Sequence, residues 1–282
     1  MEIINSITQM REKVKHHQIL GQTVGFVPTM GYLHEGHASL LAAAKKEADI
    51  VVLSVFVNPL QFGENEDLDN YPRDEKRDQT IAQKNGVDYL FMPAIDRMYP
   101  TEMGIHLSIN QRVGVLCDRT RPGHFQGVIT VLTKLFNIVE PTFTYFGMKD
   151  AQQVAVVDLL IQQLNFNIQL RMIPTVREAD GLAKSSRNVN LSEAERKQAP
   201  LIYQSLKHAE TAIINGEADA EKVTAAVATK IKAAGGTIDY IEVLTYPELL
   251  PITTINQTVI VAVAIKYQRA RLIDNVIVNI VN

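Results

Sequence analysis

Residues 23–27, TVGFV, form a short apolar run that closes at Pro28, and residues 49–57, DIVVLSVFV, form a second that is β-branched and almost continuously apolar. Between them, from Gly36 onward, HASLLAAAKKEAD sets Leu40, Leu41 and Ala44 on one helical face, with Lys45 and Lys46 near its end. Continuous apolarity marks a strand covered on both faces, as in a parallel sheet. Strand, helix, strand at this spacing is a βαβ unit, which crosses over right-handed.

The alternation continues along the chain. The pattern predicts helices over 73–84, 125–139 and 151–164, and strands over 87–92, 142–146 and 168–173. This is an α/β domain with a doubly wound, Rossmann-like parallel sheet. After Asn190 the texture changes. Ser192 and Glu195 make a capping box that opens a long helix over 193–214. A second helix over 218–234 stops at Gly235-Gly236, and apolar strands follow at 238–244, 258–265 and 271–273. The expected organisation is a Rossmann-like domain over 1–186 and a smaller C-terminal α+β domain over 187–282 that covers its cleft.

Composition excludes several alternatives. With 282 residues, 46% of them hydrophobic, the chain is long enough to bury a core without staples. Its 28 basic and 31 acidic side chains leave a net charge of −3, which argues against a protein built to neutralise nucleic-acid phosphates. Cys117 is the single cysteine, so no intramolecular disulfide and no cysteine-based zinc site is available, as suits a reducing cytoplasm. The apolar stretches at 50–57 and 259–265 fall far short of the ~20 residues that span a bilayer. The N-terminus, MEIINSITQMREKVK, lacks the apolar run of a signal peptide. A cytoplasmic protein with neither a membrane nor a nucleic-acid partner is expected.

Chemistry concentrates first in Pro28-Thr29-Met30-Gly31-Tyr32-Leu33-His34-Glu35-Gly36-His37, the loop from the first strand into the first helix. In open α/β sheets, ligands bind outside the carboxyl ends of the strands. A helix N-terminus there offers unpaired N–H groups to phosphate. His34 and His37 lie three apart and share a face of the first helical turn. Two imidazoles so placed can donate to phosphate oxygens as charge develops. The bland alternative is a helix start that happens to hold two histidines.

PTMGYLHEGH resembles the signature of the pantoate–β-alanine ligase family, within the H-x-G-H nucleotidyltransferase superfamily. Four further segments resemble the same family, in the same order: FVNPLQF at 56–62, RPGHFQGV at 121–128, FGMKDAQQ at 146–153 and DGLAKSSRN at 180–188. The resemblance implies ATP-dependent condensation of pantoate with β-alanine, giving pantothenate, AMP and pyrophosphate through an enzyme-bound pantoyl adenylate. It implies His34, His37, Lys149, Ser185, Ser186 and Arg187 as catalytic residues. Met30 to His37, Gly147, Met148, Lys149, Asp150, Val176 and Lys184 to Arg187 would bind ATP, Val176 through its backbone at the adenine. Gln61, Gln153 and Asn58 would bind pantoate and β-alanine. A homodimer is implied as well.

Each motif also has a plainer reading. Asn58-Pro59 is a turn initiator, D-x-x-Q at Asp150 and Gln153 is a helix cap, and Lys184 to Arg187 could be an exposed hinge. Lys184 stands where the family often carries an apolar residue, so a phosphate contact is the alternative to an adenine one. Arg119, Arg121 and His124 share one loop and carry no site role in this reading. Glu64, Glu66, Asp67 and Asp69 read as a solvated loop, with Mg²⁺ carried on ATP by its phosphates, no protein metal site and no prosthetic group. His16, His17, His106, His208 and Cys117 read as surface or packing residues. The rival functions are a nucleotidylyltransferase that transfers AMP to a phosphate-bearing acceptor, and a non-catalytic nucleotide sensor.

Overall fold

The computed structural model describes residues 1–63, 68–69, 71–232 and 235–280. In chain order the elements are β1 (Glu2–Ile4), α1 (Ile7–Ile19), β2 (Val24–Thr29), α2 (Glu35–Glu47), β3 (Ile50–Val55), α3 (Glu75–Lys84), β4 (Tyr89–Phe91), α4 (Ile95–Met98), α5 (Leu116–Thr120), α6 (His124–Val139), β5 (Phe143–Gly147), α7 (Ala151–Gln163) and β6 (Gln169–Ile173). They are followed by α8 (Glu193–Gln198), α9 (Pro200–Ile214), α10 (Ala220–Lys232), β7 (Thr237–Thr245), β8 (Val259–Lys266) and β9 (Arg271–Val278). The chain groups into two compact units: residues 1–109, 121–148 and 156–174 form one, and residues 110–120, 149–155 and 175–282 form the other.

The first unit is built on a six-stranded sheet in the order β1-β4-β3-β2-β5-β6, parallel throughout. From β2 the chain winds outward through β3 and β4, then returns to lay β5 on the other side of β2. The order therefore reverses at β2, and the carboxyl ends of β2 and β5 flank the crevice where ligands of open α/β sheets bind. The βαβ reading holds because Val24, Phe26 and Val27 of β2 and Val51, Val52 and Leu53 of β3 are all fully buried. Leu41 and Ala44 of α2 pack with Val27, Val51, Leu53, Leu90 and Tyr145. The structure adds β1 and α1 to the elements expected from the pattern: β1 is a three-residue edge strand, too short for a periodicity to declare itself.

The second unit carries an antiparallel sheet in the order β7-β8-β9. Ile202, Leu206 and Ile213 of α9 and Val223, Val227 and Ile231 of α10 recur at helical spacing and pack with Val259, Val261, Val263 and Ile265 of β8. The expected capping box forms, with Ser192 Oγ accepting from Glu195 N at 3.3 Å and Ser192 N donating to Glu195 Oε2 at 2.8 Å. The single helix expected over 193–214 is instead two. Pro200 lacks the N–H that would continue the ladder and starts α9 as its first residue. β9 runs on through Asp274 and Asn275 to Val278, past the point where two polar residues end the apolar pattern.

Candidate active site

In the first unit, β2 leads through Met30 and the Gly31-Tyr32 turn into α2. Both turn residues are left-handed, Gly31 at φ 86° and Tyr32 at φ 51°. His34 is the N-cap of α2, and its Nδ1 accepts from Gly36 N at 3.0 Å. His37 Nδ1 accepts from His34 N at 3.3 Å, and the two rings lie 4.2 Å apart between centroids. A nitrogen that accepts from a backbone N–H carries no proton. The backbone therefore selects the Nε2–H form of both rings when they are neutral. The histidine pair is thus a helix cap and a pair of oriented donors at once.

Gln61 sits in a 3₁₀ turn, Pro59–Gln61, just beyond β3. Its Nε2 reaches Met30 Sδ at 2.9 Å and its Oε1 accepts from Asn58 Nδ2 at 3.1 Å. A thioether is a weak acceptor, so a ligand oxygen arriving at that amide hydrogen competes well. Asn58 is 1% exposed. It also donates to Gly127 O at 3.1 Å, and its Oδ1 accepts from Tyr99 Oη at 2.8 Å and Leu60 N at 3.3 Å. The turn-initiating geometry is thus present, and Asn58 orients the glutamine beside it.

Arg121 and His124, to which the sequence alone assigns no role, hold the backbone of Gln61. His124 Nδ1 donates to Gln61 O at 2.9 Å, while its Nε2 lies 3.2 Å from Arg121 Nη1. Arg121 Nη2 adds a longer contact to the same carbonyl at 3.4 Å. The Arg-Pro-Gly-His string is the signal that could have found them, but only the fold reveals that it clamps a segment about sixty residues earlier. Gly147 ends β5, and Met148 begins the 3₁₀ turn that follows.

The second unit gathers the remaining candidates. Lys149 O accepts from Asn275 Nδ2 at 3.1 Å. Burial, and the Arg187 guanidinium nearby, push the Lys149 ammonium below the ordinary lysine value of 10.5, while Asp150 and Asp274 oppose that shift. Asp150 Oδ1 accepts from Gln153 N at 3.2 Å, so the cap is made, and the Gln153 side chain itself has no hydrogen bond among the described residues. Neighbouring Gln152 is 3% exposed and structural: it accepts from Cys117 N at 2.9 Å and donates to Arg112 O and Val115 O.

A tight hairpin carries the Lys184 to Arg187 segment. Lys184 N donates to Val176 O at 2.9 Å, and Arg177 bridges Ala183 in antiparallel fashion. Arg177 is fixed by a two-point pair with Asp274 at 2.6 and 3.0 Å, and its guanidinium lies 3.5 Å from the centre of the Tyr203 ring. The Lys184 ammonium pairs with Glu178 at 2.9 Å, across the hairpin. Ser185 Oγ accepts from Arg187 N at 3.2 Å and caps the 3₁₀ turn Ser186–Asn190. Arg187 forms no ion pair among the described residues, which leaves its charge for an incoming anion.

Of the acidic run, Glu64, Glu66 and Asp67 lie outside the described residues. Among the described residues, no group of three or more His, Cys, Asp or Glu side chains is arranged to hold a metal ion. Nor is any helix among them long and apolar enough to cross a membrane.

A parallel sheet that reverses at β2, with two oriented imidazoles at the helix leaving that strand, defines an α/β enzyme of the H-x-G-H type. The family model described as Pantoate-beta-alanine ligase matches residues 2–277, and the chain belongs to that family of ligases. A pantothenate synthetase from Geobacillus sp. (strain WCH70) is 55% identical over 282 residues, covering 100% of both chains. One from Bacillus pumilus (strain SAFR-032) is 52% identical over 280 residues, or 99% of this chain and 97% of that one. Among solved structures, pantothenate synthetase from Thermus thermophilus superposes with a TM-score of 0.92 at 40% identity, over 98% of this chain and 99% of that one. Pantoate-beta-alanine ligase from Francisella tularensis, complexed with beta-gamma ATP and beta-alanine, gives 0.80 at 34% identity, covering 98% and 97%.

Proposed function

We propose that this chain condenses pantoate with β-alanine at the cost of one ATP, through an enzyme-held pantoyl adenylate. The pantoate carboxylate oxygen attacks the α-phosphorus of ATP, and pyrophosphate leaves with its Mg²⁺. The β-alanine amine then attacks the acyl carbon, the bond to AMP breaks, and the amine proton is released. Adenylation is needed because a free carboxylate is a poor acylating agent, whereas AMP leaves readily.

The observation that carries this reading is the pair of Nε2–H imidazoles set by the backbone at the α2 N-terminus. Donors aimed at a phosphate that gains charge in the transition state stabilise it without reorganising. Gln61, held by Asn58 and by the carbonyl clamp, supplies a pantoate contact, and Gln153 is the other residue assigned to pantoate. Lys149, Ser185, Ser186 and Arg187 take the phosphates, with Val176 at the adenine through its backbone. Lys184, paired with Glu178, assists through the hairpin it closes. The beta-gamma ATP and beta-alanine named for the Francisella ligase support the same substrates here. No prosthetic group enters the reaction, and Mg²⁺ comes as part of the ATP substrate. A cytoplasmic homodimer belongs to the same proposal.

The test is ATP–pyrophosphate exchange. It is expected to require pantoate and to proceed without β-alanine. Exchange that ignores pantoate would indicate a nucleotidylyltransferase, and absence of exchange with every substrate present would leave a nucleotide sensor.

A further inference from the structure

Asp78 lies on α3, outside every motif, yet it is 2% exposed. Its carboxylate reaches back to the turn after β2. Oδ2 accepts from Tyr32 N at 2.9 Å and Oδ1 accepts from Leu33 N at 2.7 Å. These are the two amides immediately before His34. They follow the left-handed Gly31 and belong in part to the left-handed Tyr32, a conformation that costs a side-chain-bearing residue free energy and persists only where the surroundings impose it. The fit is close: a Cβ added at Gly31 would lie 2.9 Å from Asp78 Oδ2 and 2.9 Å from Val55 Cγ1. Independently, the Arg77 guanidinium on the same helix lies 4.8 Å from the centre of the Tyr32 ring. α3 thus grips the turn at backbone and side chain together.

We propose that Asp78 is a positioning residue for adenylation, its ionised carboxylate fixing the Gly31–Leu33 turn so that the His34 and His37 donors stand where the α-phosphate needs them. The role rests on the function proposed above. Neither oxygen is interchangeable with an amide. An asparagine has one acceptor oxygen and one donating nitrogen, so one of the two contacts would become N–H against N–H. Burial pushes the Asp78 carboxyl upward in pKa even though the two backbone N–H bonds pull it down, with Asp74 adding to the rise and Arg77 opposing it. The fold therefore holds a carboxylate where its charge is poorly solvated. Such a retained cost is typical of groups kept for a site rather than for stability.

The experiment compares parent, Asp78→Asn and Asp78→Glu by pantoate-dependent ATP–pyrophosphate exchange, with thermal unfolding measured in parallel. For Asp78→Asn we expect the exchange kcat to fall by about 10- to 100-fold, the scale of a misplaced catalytic geometry. The KM values for ATP and pantoate should stay within about threefold, since a contact made only in the transition state is lost. Asp78→Glu, which keeps two acceptor oxygens on a longer arm, should recover part of the rate. An Asp78→Asn protein that is folded and within about twofold of the parent would overturn the proposal. So would a loss of thermal stability with an unchanged kcat per folded molecule, and so would failure of both variants to fold, since Asp78 would then serve folding alone. A parent without pantoate-dependent exchange would instead overturn the functional reading itself.

Discussion

Asn275, in the last strand of the second unit, donates from Nδ2 to the backbone oxygen of Lys149 at 3.1 Å. Its neighbour Asp274 holds Arg177, which starts the hairpin leading to Ser185, Ser186 and Arg187. Two adjacent residues of β9 therefore hold the segment that carries Lys149 and the start of the hairpin that carries Arg187. Asn275→Ala removes one hydrogen bond from the Lys149 side, a net loss of about 0.5–1.5 kcal/mol. The KM for ATP should rise about two- to tenfold, with the KM for pantoate unchanged. Initial-rate kinetics with each substrate varied in turn decide it, and an equal rise in both constants would contradict this placement.

The Lys149 ammonium titrates below 10.5 because burial and Arg187 disfavour its charge. In the proposed mechanism it binds phosphate only when protonated, so affinity for ATP should be present at low and neutral pH and be lost as pH rises through the lowered value. The alkaline limb of kcat/KM for ATP should therefore fall at a lower pH than an ordinary lysine would give, because this parameter reports groups of the free enzyme. In Lys149→Arg, whose guanidinium stays charged, the limb should move upward. Superimposable limbs in the two proteins would rule Lys149 out as the titrating group.

Gly127 shows what the fold adds to a motif. A Cβ at this position of α6 would lie 2.2 Å from Leu60 O and 2.5 Å from Gln61 N, both backbone atoms that cannot swing aside. Gly127→Ala must displace the turn that carries Gln61, at a stability cost of about 1–3 kcal/mol for overpacking. The KM for pantoate should rise while ATP binding, measured by calorimetry without pantoate, is kept. If unfolding shifts and the pantoate constant does not, Gln61 has been wrongly assigned as a pantoate contact.

Much of the first unit is legible in the sequence because its strands are continuously apolar and its helices amphipathic, a pattern visible within single elements. The site motifs are legible as strings, but what each residue does locally is not. Asn58 and Asp150 are caps as well as candidates, since one short polar side chain satisfies backbone N–H groups by the same chemistry that would serve a ligand. Asp78, Asp274 and Asn275 lie far in sequence from what they hold, and no periodicity reports such pairings. The full length of β9 escapes the pattern for a related reason: Asp274 and Asn275 interrupt the apolar alternation but are satisfied by Arg177 and Lys149 within the fold. A cut between 186 and 187 assumes contiguous domains, whereas the compact units follow spatial neighbours and draw on three stretches of chain each.

His37 has two functions that substitution can separate. Its Nδ1 closes the cap of α2 by accepting from His34 N, and its Nε2–H is a donor for the α-phosphate in the proposed mechanism. His37→Ala removes both, and the adenylation rate should fall roughly 10²–10³-fold, the usual loss for one oriented donor. His37→Gln keeps a side chain able to reach back to the N-cap amide, as glutamine commonly does at this helical position. If donation to the phosphate is what matters, His37→Gln should restore thermal stability to near the parent value and remain slow. If it restores the rate as well, the imidazole serves only to shape the helix start, and the phosphate-stabilising role passes to His34 alone. Rapid-quench measurement of pantoyl adenylate formation in a single turnover separates these outcomes, because it reads the adenylation step without the later attack by β-alanine.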